Sequence, residues 1–389
     1  MISEVLPLAS MKPVLAVRKG NQKKLNNLDV ILASDVKLSH ANPEAAAVGK
    51  LTRDALIQSG RWDAFSKRIV VQKPTVNDVA ADLQLGTADA GFVWDVTLKQ
   101  IPELEAIPAG ELPAAKLSAC IVHSSKQPTA ALRFARYLAA IDGGAKAFSD
   151  EGFTAVDGDP WEPTPEIRLL AGAMLRPAVD KTIAAFEARE GVRVTRVYNG
   201  CGILVAQMKV DGAPDAFFAC DREFLDQVGD LFGEGTTISS NQLVILVHKG
   251  NPHGIKKLKD LAQPGLRVGI GHEKQCAMGV LTQRTLKEDR STEAVMKNVK
   301  VQSPTGDMLV NQMLTGSLDA IIAYITNAAG HADRFEAISI SIPCAFADQP
   351  YAVSKKSRHR YLAERLLESI RKHESRRVFE QNGFTWKAK

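Results

Sequence analysis

The chain has 389 residues, of which 45% are hydrophobic and 24% charged, a composition that suits a globular α/β protein with two or more buried cores. The formal net charge is +5, and the basic residues are scattered among acidic ones, which argues against a nucleic-acid partner. No run of 18 apolar residues occurs, so direct membrane insertion is not predicted, and residues 1–14 do not resemble a secretory signal.

The sequence repeats itself over two long stretches. With an offset of 230 residues, Lys19-Gly20-Asn21 coincides with Lys249-Gly250-Asn251, and Pro74-Thr75 coincides with Pro304-Thr305. A period this long indicates a tandem pair of domains rather than a solenoid. Residues 167–240 have no counterpart ahead of the first copy. We therefore predict an incomplete first unit at 11–160, which lacks its opening segment, and a complete second unit at 164–389.

The complete unit opens with strands that alternate with helices. Apolar spacing predicts a strand over 167–171, a helix over 175–186 and a strand over 192–198. A tight turn at Asn199–Gly202 then starts a helix, which is followed by a strand over 215–219. Such alternation is typical of a mostly parallel sheet with helices on both faces.

The pattern restarts after Asn241. Apolar runs predict strands over 243–248, 266–270, 301–303 and 319–324, with helices that open near Lys274 and at the turn 304–307. Each complete unit should therefore contain two βαβ lobes. The strand 243–248 and the segment after Tyr324 would cross between them.

The order of these stretches resembles the periplasmic solute-binding proteins of ABC transporters, in particular the molybdate- and tungstate-binding type. The resemblance rests on NGCGILVAQMKVDGAPDAFFACD, NQLVILVHKGNP and GDMLVNQMLTGSLDAIIAYITNA, together with ANPEAAAVGKLTRDAL and NDVAADLQLGTADAGFVW in the first copy. It implies two units with the type II periplasmic-binding-protein fold. It also implies capture of a small oxyanion for a membrane permease, with no cofactor, in a periplasmic or extracellular location.

Four strand-to-helix turns in the complete unit are candidates for the ligand site, at 172–174, 199–202, 272–276 and 305–308. Helix N-termini carry unpaired N–H groups and partial positive charge, so converging turns can bind a dianion without lysine or arginine. By resemblance, the family's serine ligands fall at Ala173 and Cys201. Its backbone donors fall near Ala277 and Met308, and its tyrosine hydroxyl falls on Tyr324.

Cysteines at the same turns leave a second interpretation open. Cys201, Cys220 and Cys276 are either small buried hydrophobes or three thiolates suited to copper(I), zinc or trivalent arsenic. Five cysteines without CxxC spacing argue against a disulfide scaffold, and Cys120 and Cys344 are expected in the core.

Two further points concern function. The sequence shows no ordered set of catalytic residues and no phosphate-binding glycine loop, so an enzyme is not predicted. A ligand-sensing regulatory module on the same fold is an alternative to transport. In the first copy Trp94 replaces Tyr324 and Ala46 replaces Cys276, so we expect this copy not to bind the same ligand.

Overall fold

The computed structural model describes residues 2–388. Contacts within the chain define two compact units, Met1–Trp161 and Glu162–Lys389. The first unit includes the strand Ile2–Met11, which lies ahead of the predicted range of 11–160 except for its last residue. No helix in the described part of the chain is long and apolar enough to cross a membrane.

The first unit contains two separate sheets. Its strands are β1 (Ile2–Met11), β2 (Pro13–Arg18), β3 (Leu38–Ala41), β4 (Ile69–Lys73), β5 (Ala90–Trp94), β6 (Leu104–Ile107), β7 (Ala115–Val122) and β8 (Thr154–Ala155). Its helices are α1 (Leu28–Ala33), α2 (Ala47–Gln58), α3 (Trp62–Ser66), α4 (Val76–Leu85), α5 (Asp95–Gln100), α6 (Pro128–Ala139) and α7 (Gly144–Asp150). The larger sheet has the order β4-β3-β5-β2-β6, and the smaller has the order β7-β1-β8.

The second unit is larger. Its strands are β9 (Glu166–Gly172), β10 (Arg193–Asn199), β11 (Ala216–Phe218), β12 (Thr236–His248), β13 (Val268–Gly271), β14 (Val299–Ser303), β15 (Ala320–Tyr324), β16 (Phe335–Ser339), β17 (Phe346–Val353) and β18 (Thr385–Trp386). Its helices are α8 (Arg176–Glu190), α9 (Cys201–Asp211), α10 (Arg222–Asp226), α11 (Ala277–Glu288), α12 (Thr292–Met296), α13 (Gly306–Leu314), α14 (Arg360–Ile370) and α15 (His373–Gln381).

One long strand joins the two lobes of the second unit. The first half of β12 pairs with β17, and its second half pairs with β15 and β16. The opening lobe has the order β10-β9-β11-β17-β12, and the second lobe has β12-β15-β13-β14. The predicted strand over 243–248 is therefore the second half of a 13-residue strand.

Parallel strands form the centre of each lobe in the second unit. β9 pairs in parallel with β10 and β11, and β13 pairs in parallel with β14 and β15. The carboxyl ends of β9, β10, β13 and β14 lead into α8, α9, α11 and α13, because the turn after each strand reverses the chain onto the sheet. The predicted α/β class with mostly parallel strands is confirmed.

Candidate functional site

A cleft in the second unit has about 280 Å³ of empty space, part of which is open to solvent. Its lining comes from the four predicted turns and from the end of β15: Ala173, Met174, Asn199, Gly200, Cys220, Cys276, Met278, Pro304, Thr305, Gly306, Tyr324 and Asn327. These lining residues, all within the described range 2–388, include no lysine or arginine. Any anion held here would be bound by neutral donors.

The four turns present the starts of helices to this cleft. A single 3₁₀ turn at Ala173–Leu175 leads into α8, whereas α9 begins directly after Gly200. Cys276 has extended backbone angles and precedes α11. Thr305 caps α13, since its hydroxyl accepts the backbone N–H of Met308 at 3.5 Å. Helix starts leave backbone N–H groups without partners in the helix, so the cleft has the polarity that an anion requires.

Tyr324 supplies a hydroxyl at the same place. It is the last residue of β15, a strand buried along its whole length, and only 2% of its surface is exposed. Its Oη is buried without a hydrogen-bond partner among the described residues. Burial raises the pKa of Tyr324 well above its ordinary value, and the charge of nearby Asp221 acts in the same direction, so the hydroxyl stays protonated. A buried hydroxyl left unpaired is costly, and a ligand oxygen would satisfy it.

The structure brings some of the predicted ligand residues to the cleft and leaves others outside its lining. Ala173 and Tyr324 line it. Cys201 and Ala277 are buried, at 0% and 1% exposure, and are not among the lining residues. Met308 lies at the surface with 51% exposure, and its N–H donates to Thr305.

Sequence reasoning missed the polar side chains at one end of the cleft. Asn327 accepts the backbone N–H of Tyr324 at 3.2 Å and donates to Asp307 at 3.1 Å. A Cβ atom on Gly306 would lie 2.4 Å from Oδ1 of Asn327, so a larger residue there would displace this amide. The nearest sequence signal was Thr305 ahead of an apolar helix, which is typical of a helix cap.

The proposed metal site is wrong. Cys201 and Cys220 form a disulfide, so neither can offer a thiolate. Burial raises the pKa of the remaining thiol, Cys276, to about 11, which keeps it protonated at neutral pH. The described residues also contain no group of three His, Cys, Asp or Glu side chains placed to hold a metal ion.

Close contacts join the two lobes around the cleft. The Gly202 N–H donates to the Gln275 carbonyl at 3.2 Å. Cβ atoms at Gly200 and Gly202 would collide with the carbonyl oxygens of Gln275 and Lys274 respectively. Glu223 and Arg284 form an ion pair of 2.6 Å between α10 and α11. The two lobes are therefore in direct contact beside the cleft, and the backbone across this contact leaves no room for a Cβ atom at Gly200 or Gly202.

One acidic group lies near these donors. Burial raises the pKa of Asp221 to about 6, although the backbone N–H groups of Arg222 and Glu223 oppose the shift. The Glu223 charge also raises this pKa, and the Arg284 charge lowers it. Asp221 is thus partly protonated near neutral pH, and its ionisation would place a negative charge close to Tyr324.

Comparison with known proteins identifies a family that matches most of the chain and relatives that match part of it. The sequence profile of a family described as bacterial extracellular solute-binding proteins matches residues 2–154 and 167–385. The chain is 27% identical over 230 residues to the molybdate-binding protein ModA of Mycobacterium tuberculosis, a match that covers 58% of this chain and 86% of that protein. It is 28% identical over 174 residues to a putative binding protein of Haemophilus influenzae, covering 44% of this chain and 71% of the relative.

The periplasmic molybdate-binding protein of Azotobacter vinelandii superposes with a TM-score of 0.49 at 15% identity, covering 57% of this chain and 99% of that one. The sulfate-binding protein SubI of Mycobacterium tuberculosis gives a TM-score of 0.49 at 19% identity, covering 57% and 86%.

Proposed function

Because the chain belongs to the bacterial extracellular solute-binding proteins, we propose that its second unit captures a small, doubly charged oxyanion of the molybdate type and presents it to a membrane permease. The family consists of substrate-binding components of ABC transporters and not of enzymes. The choice of a molybdate-type ligand draws on the name of the relative from Mycobacterium tuberculosis. The partner in this proposal is the membrane permease of an ABC transporter.

The observation that carries this proposal is the unpaired Tyr324 hydroxyl in a cleft formed by four helix starts. A fully ionised oxyanion has only acceptor oxygens, so it matches a site made of N–H and O–H donors. Such a site binds the anion by hydrogen bonds and helix dipoles and needs no cation. A soft cation would instead require thiolates, and the disulfide removes two of the three candidates.

The Cys201–Cys220 disulfide also supports a periplasmic or extracellular location. Disulfides persist in extracytoplasmic environments and are rare where thiols are kept reduced. This bond joins the start of α9 to the end of β11, two elements that build the opening-lobe side of the cleft. A periplasmic or extracellular location is consistent with such a bond and with the family.

Calorimetric titration of the full chain with molybdate, tungstate and sulfate tests the proposal. We expect one ligand per chain, because Trp94 takes the place of Tyr324 in the first unit. Ligand at one hundred times its dissociation constant should raise the free energy of unfolding by about 2.7 kcal/mol. If none of the three anions binds or shifts the unfolding transition, the ligand class is wrong.

Substitution of the hydroxyl tests the binding mode. Tyr324→Phe should weaken binding by about 1.5–3 kcal/mol, or roughly 10- to 150-fold, which is the range for a hydrogen bond to a charged group. Tyr198→Phe is the matched control, because the Tyr198 hydroxyl donates to Asp180 at 2.7 Å and is not part of the cleft lining. Equal affinities for Tyr324→Phe and the wild type would refute a role for this hydroxyl.

A further inference from the structure

One asparagine in the lining of the cleft is followed directly by glycine. Asn199 ends β10, Gly200 precedes α9, and both residues line the cleft. The backbone N–H of Gly200 donates to Oδ1 of Asn199 at 2.9 Å, so the glycine nitrogen lies against the side-chain amide of its neighbour. The amide nitrogen of Asn199 has no hydrogen-bond partner among the described residues.

This arrangement brings together the groups that react in deamidation. After hydroxide removes its proton, the Gly200 nitrogen can attack the side-chain carbonyl carbon of Asn199, and the bond from that carbon to the amide nitrogen then breaks. The amide nitrogen takes a proton from water and leaves as ammonia, and a cyclic succinimide remains. Water opens this ring at either carbonyl, which gives aspartate or isoaspartate. The reaction needs only water and hydroxide, because no group is oxidised or reduced.

Packing between the lobes keeps the glycine in place. A Cβ atom on Gly200 would lie 2.4 Å from the carbonyl oxygen of Gln275 and 2.5 Å from that of Pro304. Any other residue would therefore have to push the backbone of the second lobe away. Because glycine has no Cβ atom to shield its nitrogen, the residue that the lobe contact requires also leaves Asn199 open to attack.

Asn382 is the other asparagine of the sequence that precedes a glycine, and its surroundings differ. Its amide nitrogen donates to the Val378 carbonyl at 2.8 Å. The Gly383 N–H donates to the Glu380 carbonyl at 3.0 Å and not to the asparagine. Both nitrogens of the reaction are thus held by other groups, so folding should protect Asn382 where it favours attack on Asn199.

Asn241 shares the backbone contact of Asn199 but lacks the glycine. Its Oδ1 accepts the N–H of Gln242 at 2.9 Å. Its amide nitrogen donates to the Thr326 hydroxyl at 2.8 Å, and the residue is only 2% exposed. Asn241 therefore shows whether the contact with the next N–H is enough for the reaction, and Asn382 shows whether the glycine is enough.

We propose that Asn199 is a site of spontaneous deamidation, which places a carboxylate in the anion cleft. The lining residues, all within 2–388, include no lysine or arginine that could neutralise this charge. The carboxylate repels a bound anion, and an isoaspartate in addition lengthens the turn before α9 by one backbone atom. The loss of binding rests on the proposed function, whereas the modification itself does not. Anion capture by this chain therefore declines as the protein ages.

Ageing of the full chain in mildly alkaline buffer tests the modification. Peptide mass spectrometry follows Asn199, Asn241 and Asn382 in the folded chain and in the chain unfolded by denaturant, which supplies the intrinsic rate of each site. The ratio of folded to unfolded rate should be at least roughly tenfold higher at Asn199 than at Asn382, because contact between reacting groups raises an intramolecular rate. Asn241 should stay unmodified in the folded chain. The proposal is overturned if Asn382 or Asn241 reacts as fast as Asn199 in the folded chain.

Calorimetry with molybdate tests the consequence for binding. The number of sites in the aged chain should fall in step with the fraction of Asn199 that is modified. Asn199→Asp should lower the affinity at least roughly tenfold, since it adds one negative charge beside a dianion. Asn382→Asp, outside the cleft lining, is the matched control and should bind as the wild type does.

Two results separate this proposal from the proposed function. Wild-type affinity in Asn199→Asp, or an undiminished number of sites after Asn199 is modified, would refute the loss of binding. If the fresh chain binds no anion, the proposed function fails, and mass spectrometry still decides whether Asn199 is modified.

Discussion

The two units share one framework but differ at the positions that we propose to bind a ligand. The larger sheet of the first unit, β4-β3-β5-β2-β6, has the same strand order as β14-β13-β15-β12-β16 in the second. Thr75 and Thr305 cap equivalent helices, each accepting a backbone N–H from the residue three positions later. The first unit keeps this cap although Trp94 replaces Tyr324 there. The threonine is therefore explained by helix formation alone.

The side chains that differ lie on the strands and turns around the cleft. Tyr324 becomes Trp94, and Cys276 becomes Ala46. Inside the sheet, Ile270 becomes His40, and both are fully buried. The two units thus share their strand order and helix cap but differ in the side chains at the positions that we propose face a ligand.

The largest expected effect concerns closure of the second unit. Gly202→Ala should weaken anion binding by roughly 100-fold, if the clash with the Lys274 carbonyl reduces the closed state to about 1% of molecules. The unit should still fold, because alanine is a better helix former than glycine by about 1 kcal/mol and Gly202 lies in α9.

Calorimetry with molybdate measures this loss. Gly229→Ala is the control, since no atom lies within 4 Å of a Cβ placed there. Wild-type affinity in Gly202→Ala would mean that the contact between Gly202 and the second lobe is not needed for binding.

The importance of this turn was visible in the sequence only in part. The turn Asn199–Gly202 and its following helix follow from the glycines and from the apolar spacing, and the helix is found at Cys201–Asp211. Its contact with Gln275 joins residues more than seventy positions apart, and only the pairing of whole lobes brings them together.

The disulfide escaped prediction for a similar reason. Cys201 and Cys220 are 19 residues apart, and they meet because β9 pairs with both β10 and β11. Cysteine number and spacing carry no information about this arrangement. The exposure of Cys120 was also missed, because an apolar run predicts a strand but does not say which edges of the strand are covered.

The two units should also differ in how much stability they lose at acidic pH. Burial lowers the pKa of His40 to about 4, and a nearby positive charge on Arg53 also lowers it. The His40 ring contacts the rings of Trp62 and Phe65, at distances of 5.6 and 5.4 Å between ring centroids. Since the unfolded chain binds a proton near pH 6.5 and the folded unit does not, stability is fully present above that pH and is lost as the pH falls towards 4.

Between pH 7.5 and pH 5 the first unit should therefore lose about 2 kcal/mol of unfolding free energy. His40→Ile, which copies the second unit, should remove this loss. Denaturant unfolding followed by hydrogen exchange of β3 measures it, with the equivalent strand β13 as internal control. An equal acid loss in His40→Ile would assign the effect to other groups.

The smallest expected effect is on the pH dependence of binding in the second unit. Asp221 has its pKa raised by burial to about 6, so it is mostly ionised at pH 7 and mostly protonated at pH 5. Ionisation places negative charge near Tyr324 and should oppose a bound dianion by about 1 kcal/mol, or roughly fivefold in affinity, the scale for charges several ångströms apart in a polar site.

Wild-type affinity for sulfate, which stays doubly charged in this range, should rise as the pH falls from 7 to 5. Asp221→Asn should bind at the tighter level at both values, whereas Asp226→Asn, at the exposed end of the same helix, should keep the wild-type dependence. A flat wild-type profile would show that the Asp221 charge does not reach the ligand.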